Sequence, residues 1–270
     1  MGRTQLGIQT DAARKAERSL RLYDPGQPEL RVCVCVPTYN EAGNVEPLVE
    51  AVLGTLEAAG VAGTVLVIDD ASPDGTGEIA DGLARRNAHV QVLHRTSKDG
   101  IGRAYQAGFA WALERGFDFV AQMDCDFSHD PDALPRLLDA AREADLALGS
   151  RYVPGGRVRD WSLPRRVISR GGSAYARTIL GLPIHDLTGG FKCFRTEALA
   201  RLPFKLAEAR GYGFQIEMTF RTVRNDFRVD EVPIHFVDRR VGQSKMSGSI
   251  FFEALTLVWL LRSRIRRGAG

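Results

Sequence analysis

The chain has 270 residues, 44% of them hydrophobic, enough for one large core or one domain with appendages. Its 36 Lys and Arg nearly balance 33 Asp and Glu, for a net charge of +3, so no broad basic surface for nucleic acid is implied and no nucleic-acid partner is expected. The N-terminus has no apolar signal-peptide core, and no apolar run reaches the roughly 18 residues of a spanning helix.

Residues 1–30 mix charges and end in Asp24-Pro25-Gly26-Gln27-Pro28, which reads as an extension outside the core, with a short helix over Asp11–Leu22. Val32–Val36, VCVCV, reads as a strand. Cys33 and Cys35 alternate along it as small core residues. With Cys125 and Cys193 they make four cysteines without a C-x-x-C pair, which fits a reduced, cytoplasmic protein without structural zinc. A loop, Thr38-Tyr39-Asn40-Glu41, leads into a helix over Asn44–Ala59 with apolar residues at helical spacing. Strand Thr64–Asp69 ends at Asp69-Asp70 before a turn-rich SPDGTG, and a helix follows to about Arg86. Then come strand His89–His94, loop Arg95–Gly102, helix Arg103–Arg115, strand Phe117–Met123, helix Pro131–Ala144 and strand Leu146–Ser150.

Five β-α steps of this kind predict an α/β fold, a Rossmann-like, mostly parallel sheet with helices on both faces. Beyond Arg151 the alternation stops. Tyr152–Pro164 reads as a loop, and helix Pro164–Leu180 carries Arg165, Arg166, Arg170 and Arg177 among apolar residues. Strand Phe191–Phe194, a short helix at Thr196–Arg201, helix Phe214–Asn225 with Gln215 and Glu217, and strand Arg228–Val237 follow. A last helix is expected over about Ser249–Arg266.

The stretch Phe117–Pro131, FDFVAQMDCDFSHDP, carries the densest chemistry. An apolar strand runs into Asp124 and Asp126 where ligands of open α/β sheets sit, at the carboxyl end of a strand. On an extended chain alternate residues share a face, so the two carboxylates would point at one spot and suit a hard cation, Mg²⁺ or Mn²⁺. The plainer reading is a solvated acidic turn, with Asp130 capping a helix that starts at Pro131. Glu41 and Asp69/Asp70 also lie at strand ends, so three acidic ends converge on one sheet edge and call for a cation or hydrogen-bond donors between them. Lys98, Arg151, Arg239 and Lys245 are the basic groups available as phosphate partners or, equally simply, as solvated charges. A nucleotide is the default ligand of such a sheet. The G-x-G-x-x-G fingerprint is nevertheless absent after the first strand, and no P-loop is present.

The motifs PTYNE (Pro37–Glu41), DDASPDGTG (Asp69–Gly77), KDGIGRAYQAGF (Lys98–Phe109), MDCDFSHDP (Met123–Pro131), LGSRYVPGG (Leu148–Gly156), DLTGGFKCFR (Asp186–Arg195), GYGFQIEM (Gly211–Met218) and DRRVGQSKMS (Asp238–Ser247) occur in this order. The ordered set resembles the family 2 glycosyltransferases, and within them the dolichol-phosphate and polyprenol-phosphate mannose synthases. The resemblance implies an A-type glycosyltransferase fold over residues 31–248, with 1–30 as an extension and 249–270 as a basic amphipathic C-terminal segment. It also implies GDP-mannose as donor and a polyprenyl phosphate as acceptor. It places Pro37, Tyr39, Glu41, Ile68 and Asp70 at the nucleoside, with Lys98 nearby. It places Asp124 and Asp126 at the metal and diphosphate, Cys125 as a backbone contact, and Ser128 where relatives carry a metal-ligating Gln. Arg151, Arg239 and Lys245 match basic residues near the phosphates. Peripheral contact with the cytoplasmic face of the membrane follows from the acceptor, and a membrane partner subunit is compatible with it. A glucosyl transfer to the same lipid class, a soluble acceptor, and a non-catalytic nucleotide-binding subunit remain the other readings.

The C-terminal segment adds its own signal. Ile250–Leu261 reads IFFEALTLVWLL, followed by Arg262, Arg264, Arg266 and Arg267. It is too short to span a bilayer, and predicts either a helix packed on the core or one lying in a membrane interface.

Overall fold

The computed structural model describes residues 30–209, 211–238 and 256–263, to which all structural statements refer. Period-two alternation in the first strand, β1 (Arg31–Thr38), sorts the two halves of the core. Val32, Val34 and Val36 face one layer, and Cys33 and Cys35 the other, all fully or almost fully buried. The valine side packs on α1 (Val45–Ala58), α2 (Thr76–Arg86) and α4 (Leu134–Glu143). The cysteine side packs on α3 (Ile101–Leu113), α5 (Leu163–Leu180), α6 (Thr196–Arg201) and α7 (Tyr212–Arg224). All four cysteines are free and buried. Helices thus cover both faces of a central sheet, as the alternating elements predicted.

The remaining strands are β2 (Ala62–Asp69), β3 (Val90–His94), β4 (Phe119–Gln122), β5 (Leu146–Ser150), β6 (Arg157–Val158), β7 (Lys192–Arg195), β8 (Val229–Pro233) and β9 (His235–Phe236). Seven form one sheet in the order β3-β2-β1-β4-β7-β5-β8, while β6 and β9 form a separate two-stranded pair. Only β7 runs antiparallel to its neighbours β4 and β5. The order reverses at β1, with β2 on one side and the later strand β4 on the other. Such a switch point leaves a crevice at the carboxyl ends of the strands, and the loops after β1, β2 and β4 all leave there. Helix α3 closes tightly behind this edge. A Cβ on Gly108 would come within 2.5 Å of Ile68 Cδ1 and 3.0 Å of Cys35 Sγ, so only glycine permits that approach.

Several boundaries differ from the sequence expectation. The central strand is shorter, ending at Gln122, so Asp124-Cys125-Asp126 is a turn and not an extended run. The expected single strand Arg228–Val237 divides at Ile234, its first part joining the main sheet and its second pairing with β6, inside what read as loop. Helix α3 starts two residues early, at Ile101. Helix α4 is preceded by a 3₁₀ turn, Pro131–Ala133, capped as expected by Asp130, whose side chain accepts from the Asp132 N–H. Residues 256–263 are helical. The expected helix at Asp11–Leu22, most of the DRRVGQSKMS motif, and the rest of the C-terminal segment lie outside the described residues. Among the described residues, no helix is long and apolar enough to cross a membrane.

Candidate active site

At the switch point lies a cavity of about 440 Å³. One wall is built by the first two loops, which are stitched together by consecutive amides. Asn40 N–H donates to Ser72 Oγ (3.0 Å), Glu41 N–H to Thr76 Oγ1 (2.9 Å) and Ala42 N–H to Asp74 Oδ2 (3.1 Å). Asp69 accepts from Ser72 Oγ at 2.5 Å and from Thr38 Oγ1 at 3.3 Å, which holds the turn. Asp69 is therefore a structural carboxylate, and its neighbour Asp70 is the one on the cavity wall. Asp70 pairs with Arg95 Nη1 at 2.5 Å; burial still raises its carboxyl above the usual range, with Arg95 pulling the other way.

Pro37, Tyr39, Glu41, Asp70 and Lys98 line this wall. Glu41 accepts from Asn44 Nδ2 at 2.8 Å, and Lys98 Nζ stands 3.8 Å from the Tyr39 ring centroid, a cation–π contact. Ile68 is different. Its side chain is fully buried beneath α3, and its carbonyl accepts from Thr38 Oγ1, so it supports the wall from behind.

The floor is the Asp124–Ser128 turn. Asp124 Oδ1 accepts from Tyr105 OH at 3.2 Å, and its N–H donates to His129 Nδ1 at 3.1 Å. Asp126 Oδ1 accepts from the Ser128 N–H at 3.0 Å. Phe127 takes a left-handed conformation (φ 59°), and this bends the chain so that Asp124, Cys125, Asp126 and Ser128 all line the cavity. The two carboxylates converge as expected, through a tight turn and not through strand alternation. Cys125 lines the cavity while its side chain belongs to the core. Burial, reinforced by the Asp124 charge, pushes the Tyr105 hydroxyl far up, so it remains a donor to that carboxylate. The His129 ring stacks on Phe191 at 5.0 Å, and burial lowers its imidazole below the ordinary value.

The opposite wall comes from the second half of the chain. Arg151 lies on it, but its Nε and Nη2 are engaged by Asp186 at 2.7 and 2.6 Å, and Nη2 also reaches Thr188 Oγ1 at 2.8 Å. Burial favours the neutral form of Asp186, yet Arg151 overrides it and holds the carboxyl below the usual range. The expectation that Arg151 clamps a phosphate thus meets a competing partner: its bidentate face is turned to Asp186. Arg165 pairs with Asp238 at 2.8 Å, with its guanidinium 4.3 Å from the Trp161 ring. Arg239 and Lys245 lie outside the described residues.

His129, Gln215, Trp161, Asp238 and the Asp186–Thr188 pair also belong to this site or its support. His129 and the DLTGG segment sit inside motifs already noted, and only long-range pairing shows what they do. Along the outer side of the cavity, α5 contributes Arg165, Ile168, Ser169 and Ala176, and helix 256–263 contributes Val258.

Residues 33–202 match the model of glycosyl transferase family 2. The chain belongs to glycosyltransferase family 2. It is 51% identical over 237 residues to an undecaprenyl-phosphate mannosyltransferase of Micrococcus luteus, covering 87% of this chain and 96% of that one. It is 48% identical over 248 residues to a polyprenol monophosphomannose synthase of Mycolicibacterium smegmatis, covering 90% and 92%. Among solved structures, the glucosyl-3-phosphoglycerate synthase of Mycobacterium tuberculosis, in complex with Mn²⁺, UDP and glucosyl-3-phosphoglycerate, superposes with a TM-score of 0.66 at 19% identity, over 89% of this chain and 86% of that one. The shared architecture is the A-type glycosyltransferase fold.

Proposed function

We propose that this glycosyltransferase moves mannose from GDP-mannose to a polyprenyl phosphate, with inversion at the anomeric carbon and with a divalent ion. The observation that carries the reading is the cavity itself. One wall is polar and acidic with a cation–π pair, the floor holds two carboxylates, and the far wall opens through apolar and basic side chains of α5. The two relatives of about half identity, both named for polyprenol-phosphate mannosyl transfer, support the choice of sugar and lipid.

Asp124 and Asp126 offer hard oxygen donors that suit Mg²⁺ or Mn²⁺. Among the described residues no third His, Cys, Asp or Glu completes a cage, so the remaining ligands would come from a diphosphate, with Ser128 as a weaker hydroxyl neighbour. When bound, such an ion supplies Lewis-acid stabilisation of the leaving diphosphate. The chain's own residues do the rest. Glu41 and Asp70 accept from the nucleoside, and Lys98 and Tyr39 close over it. Arg239 and Lys245 are the phosphate partners, while Arg151 fixes the wall through Asp186.

The acceptor is a phosphate monoester with a second pKa of about 6, already anionic at neutral pH. Its oxygen forms a bond to the anomeric carbon as the bond to the diphosphate oxygen breaks, and GDP departs with the electron pair. No proton needs removal, so the buried neutral His129 is not required as a base. Catalysis rests on bringing two anions into line and stabilising the departing charge.

The lipid end fits the outer surface. On α5, Leu163, Val167 and Ile168 are 73%, 63% and 51% exposed, next to exposed Arg166 and Arg170, and Trp259 on helix 256–263 is 60% exposed. This combination of basic and apolar side chains, continuous with the cavity through Ile168, suits peripheral contact with an anionic membrane surface. Incubation with GDP-mannose, Mg²⁺ or Mn²⁺ and polyprenyl phosphate, followed by mass analysis of the lipid, tests the reading. A hexose added from UDP-glucose and none from GDP-mannose would replace it with the glucosyl alternative.

A further inference from the structure

Lys192 lies on β7, the antiparallel strand beside β4, and is fully buried. Among the described residues its Nζ donates to two acceptors of one residue, the backbone carbonyl and Oε1 of Gln215, each at 2.8 Å. A side chain lodged this deeply stabilises nothing by charge at the surface, and burial brings its amine down to about 7. Its geometry nevertheless has a definite consequence. The same Nζ donates to the Gln215 backbone carbonyl and to its side-chain oxygen, so the amide meets the lysine with its oxygen end. Gln215 is therefore fixed in one of its two flips, with Nε2 on the other side.

That other side is the cavity. Gln215 lines it while only 4% exposed. Gly190 lines the cavity beside it. A Cβ there would stand 3.6 Å from Gln215 Nε2, 3.8 Å from Asp124 Oδ2 and 3.4 Å from His129 Cε1. An amide nitrogen and a carboxylate oxygen thus approach the same stretch of cavity wall beside Gly190. A hydroxyl answers both, accepting from the amide and donating to the carboxylate. The same buried face carries Gln122, the ladder partner of Lys192, whose amide has no hydrogen-bond partner among the described residues.

We propose that Lys192 is a positioning residue that locks the Gln215 amide with its N–H₂ toward the cavity, making Gln215 the donor to a hydroxyl of the transferred sugar beside Asp124. The inference rests on the reading of the cavity as a sugar-nucleotide site, and adds to it a residue that distinguishes sugar from nucleotide.

The test is Gln215→Glu, with Lys192→Met and the double variant. Gln215→Glu keeps an oxygen for Lys192, so the fold is expected to hold its Tm, while the cavity loses its donor. The expected result is a loss of about 30-fold or more in kcat/KM for transfer from GDP-mannose, with the Kd for GDP within about twofold of wild type, the size of effect of one donor at a reacting site. Lys192→Met is expected to lower transfer about tenfold or more and also to lower Tm. The double variant is expected to transfer no worse than Gln215→Glu, because the two residues act through one amide. Wild-type kcat/KM in Gln215→Glu overturns the proposal, as does parallel loss of GDP binding, and as do additive losses in the double variant. If the wild type transfers nothing from GDP-mannose, the proposed activity fails separately. The amide is then tested by binding: Gln215→Glu must weaken whichever of GDP-mannose and UDP-glucose the wild type binds, and not its bare nucleotide. Unchanged binding, or binding of neither, overturns the proposal.

Discussion

The two walls of the cavity are held in different ways. The wall built by the first two loops is held by many small contacts within the turns and between the two loops. Asp69 grips Ser72, Asp74 grips Thr76, and three successive amides of the first loop land on the second. The opposite wall is held by single side-chain pairs: Arg151 with Asp186, Arg165 with Asp238, Lys192 with Gln215, and Glu231 with the backbone of His185 and Asp186. A wall held by many small contacts degrades gradually when one is lost. Where a wall hangs on one buried ion pair, as at Arg151–Asp186, a deletion strands a charge and the loss is abrupt.

The largest effect belongs to the floor common to both walls. Asp126→Ala is expected to fold and to lose about 10³-fold or more in transfer, equivalent to about 4 kcal/mol of transition-state stabilisation. Asp70→Ala is expected to act on binding, raising the Kd for GDP about tenfold with a smaller change in turnover, as loss of a charged hydrogen-bond acceptor does. Titration calorimetry with GDP beside steady-state transfer separates the two. Full transfer by Asp126→Ala in excess chelator removes the metal from the reading, and unchanged GDP affinity in Asp70→Ala moves the nucleoside elsewhere.

The opposite wall is broken most directly at Asp186. Asp186→Asn keeps the shape and removes the charge, leaving buried Arg151 opposite a neutral amide, at a cost of about 3–5 kcal/mol in unfolding free energy. The pH dependence follows from the sign of the shift. The carboxyl is held below its unfolded value, so its contribution is complete above the ordinary carboxylate range and is lost as pH falls through the folded value. Urea titrations between pH 7 and the acid limit should show the wild type losing stability where Asp186→Asn shows a smaller slope. Equal stability of both at pH 7 would make the pair dispensable.

This difference between walls also governs what could be read from sequence. The turn contacts of DDASPDGTG and MDCDFSHDP fall within each motif, and the doubly wound sheet follows from alternation of apolar runs, so these were legible, whereas the amides after the first strand find their partners in the second loop. The antiparallel insertion of β7 between β4 and β5 was not legible, because a four-residue strand reads identically in either direction. The Arg151–Asp186 pair was hidden for a related reason. A basic residue after a strand looks like a phosphate ligand until Asp186, 35 residues on, is seen to hold it. The Asp124 and Asp126 carboxylates converge, but the left-handed Phe127 that closes their turn is invisible in a pattern of alternation.

A smaller effect is expected on the outer face. Leu163 and Val167 are mostly exposed, so Leu163→Ser with Val167→Ser should leave Tm and GDP affinity near wild type. If the membrane covers them, the pair contributes about 3 kcal/mol or more, and binding to anionic liposomes should fall about 100-fold. Undiminished sedimentation with liposomes would place the contact on the C-terminal segment instead.

The smallest effect sharpens the comparison within the local wall and floor. Ala71, after Asp70, and Phe127, after Asp126, share nearly one backbone conformation, with φ of 55° and 59°. A left-handed residue with a Cβ costs about 1–2 kcal/mol. Glycine removes that strain but gives back about 0.5–1 kcal/mol in chain entropy. Ala71 is exposed, so its methyl adds little, and Ala71→Gly is expected to stabilise by about 0.5–1 kcal/mol. Phe127 is half-buried against the valine-side core, and losing its ring forfeits about 1–1.5 kcal/mol of burial. Phe127→Gly should therefore be neutral to about 1 kcal/mol destabilising despite the same relief of strain. Urea midpoints for the two variants decide it. Opposite or clearly separated shifts, with Ala71→Gly the more stable, mean that strain is stored in the loops and offset by packing where a side chain has something to touch. Equal shifts mean that backbone conformation alone sets the stability of both turns.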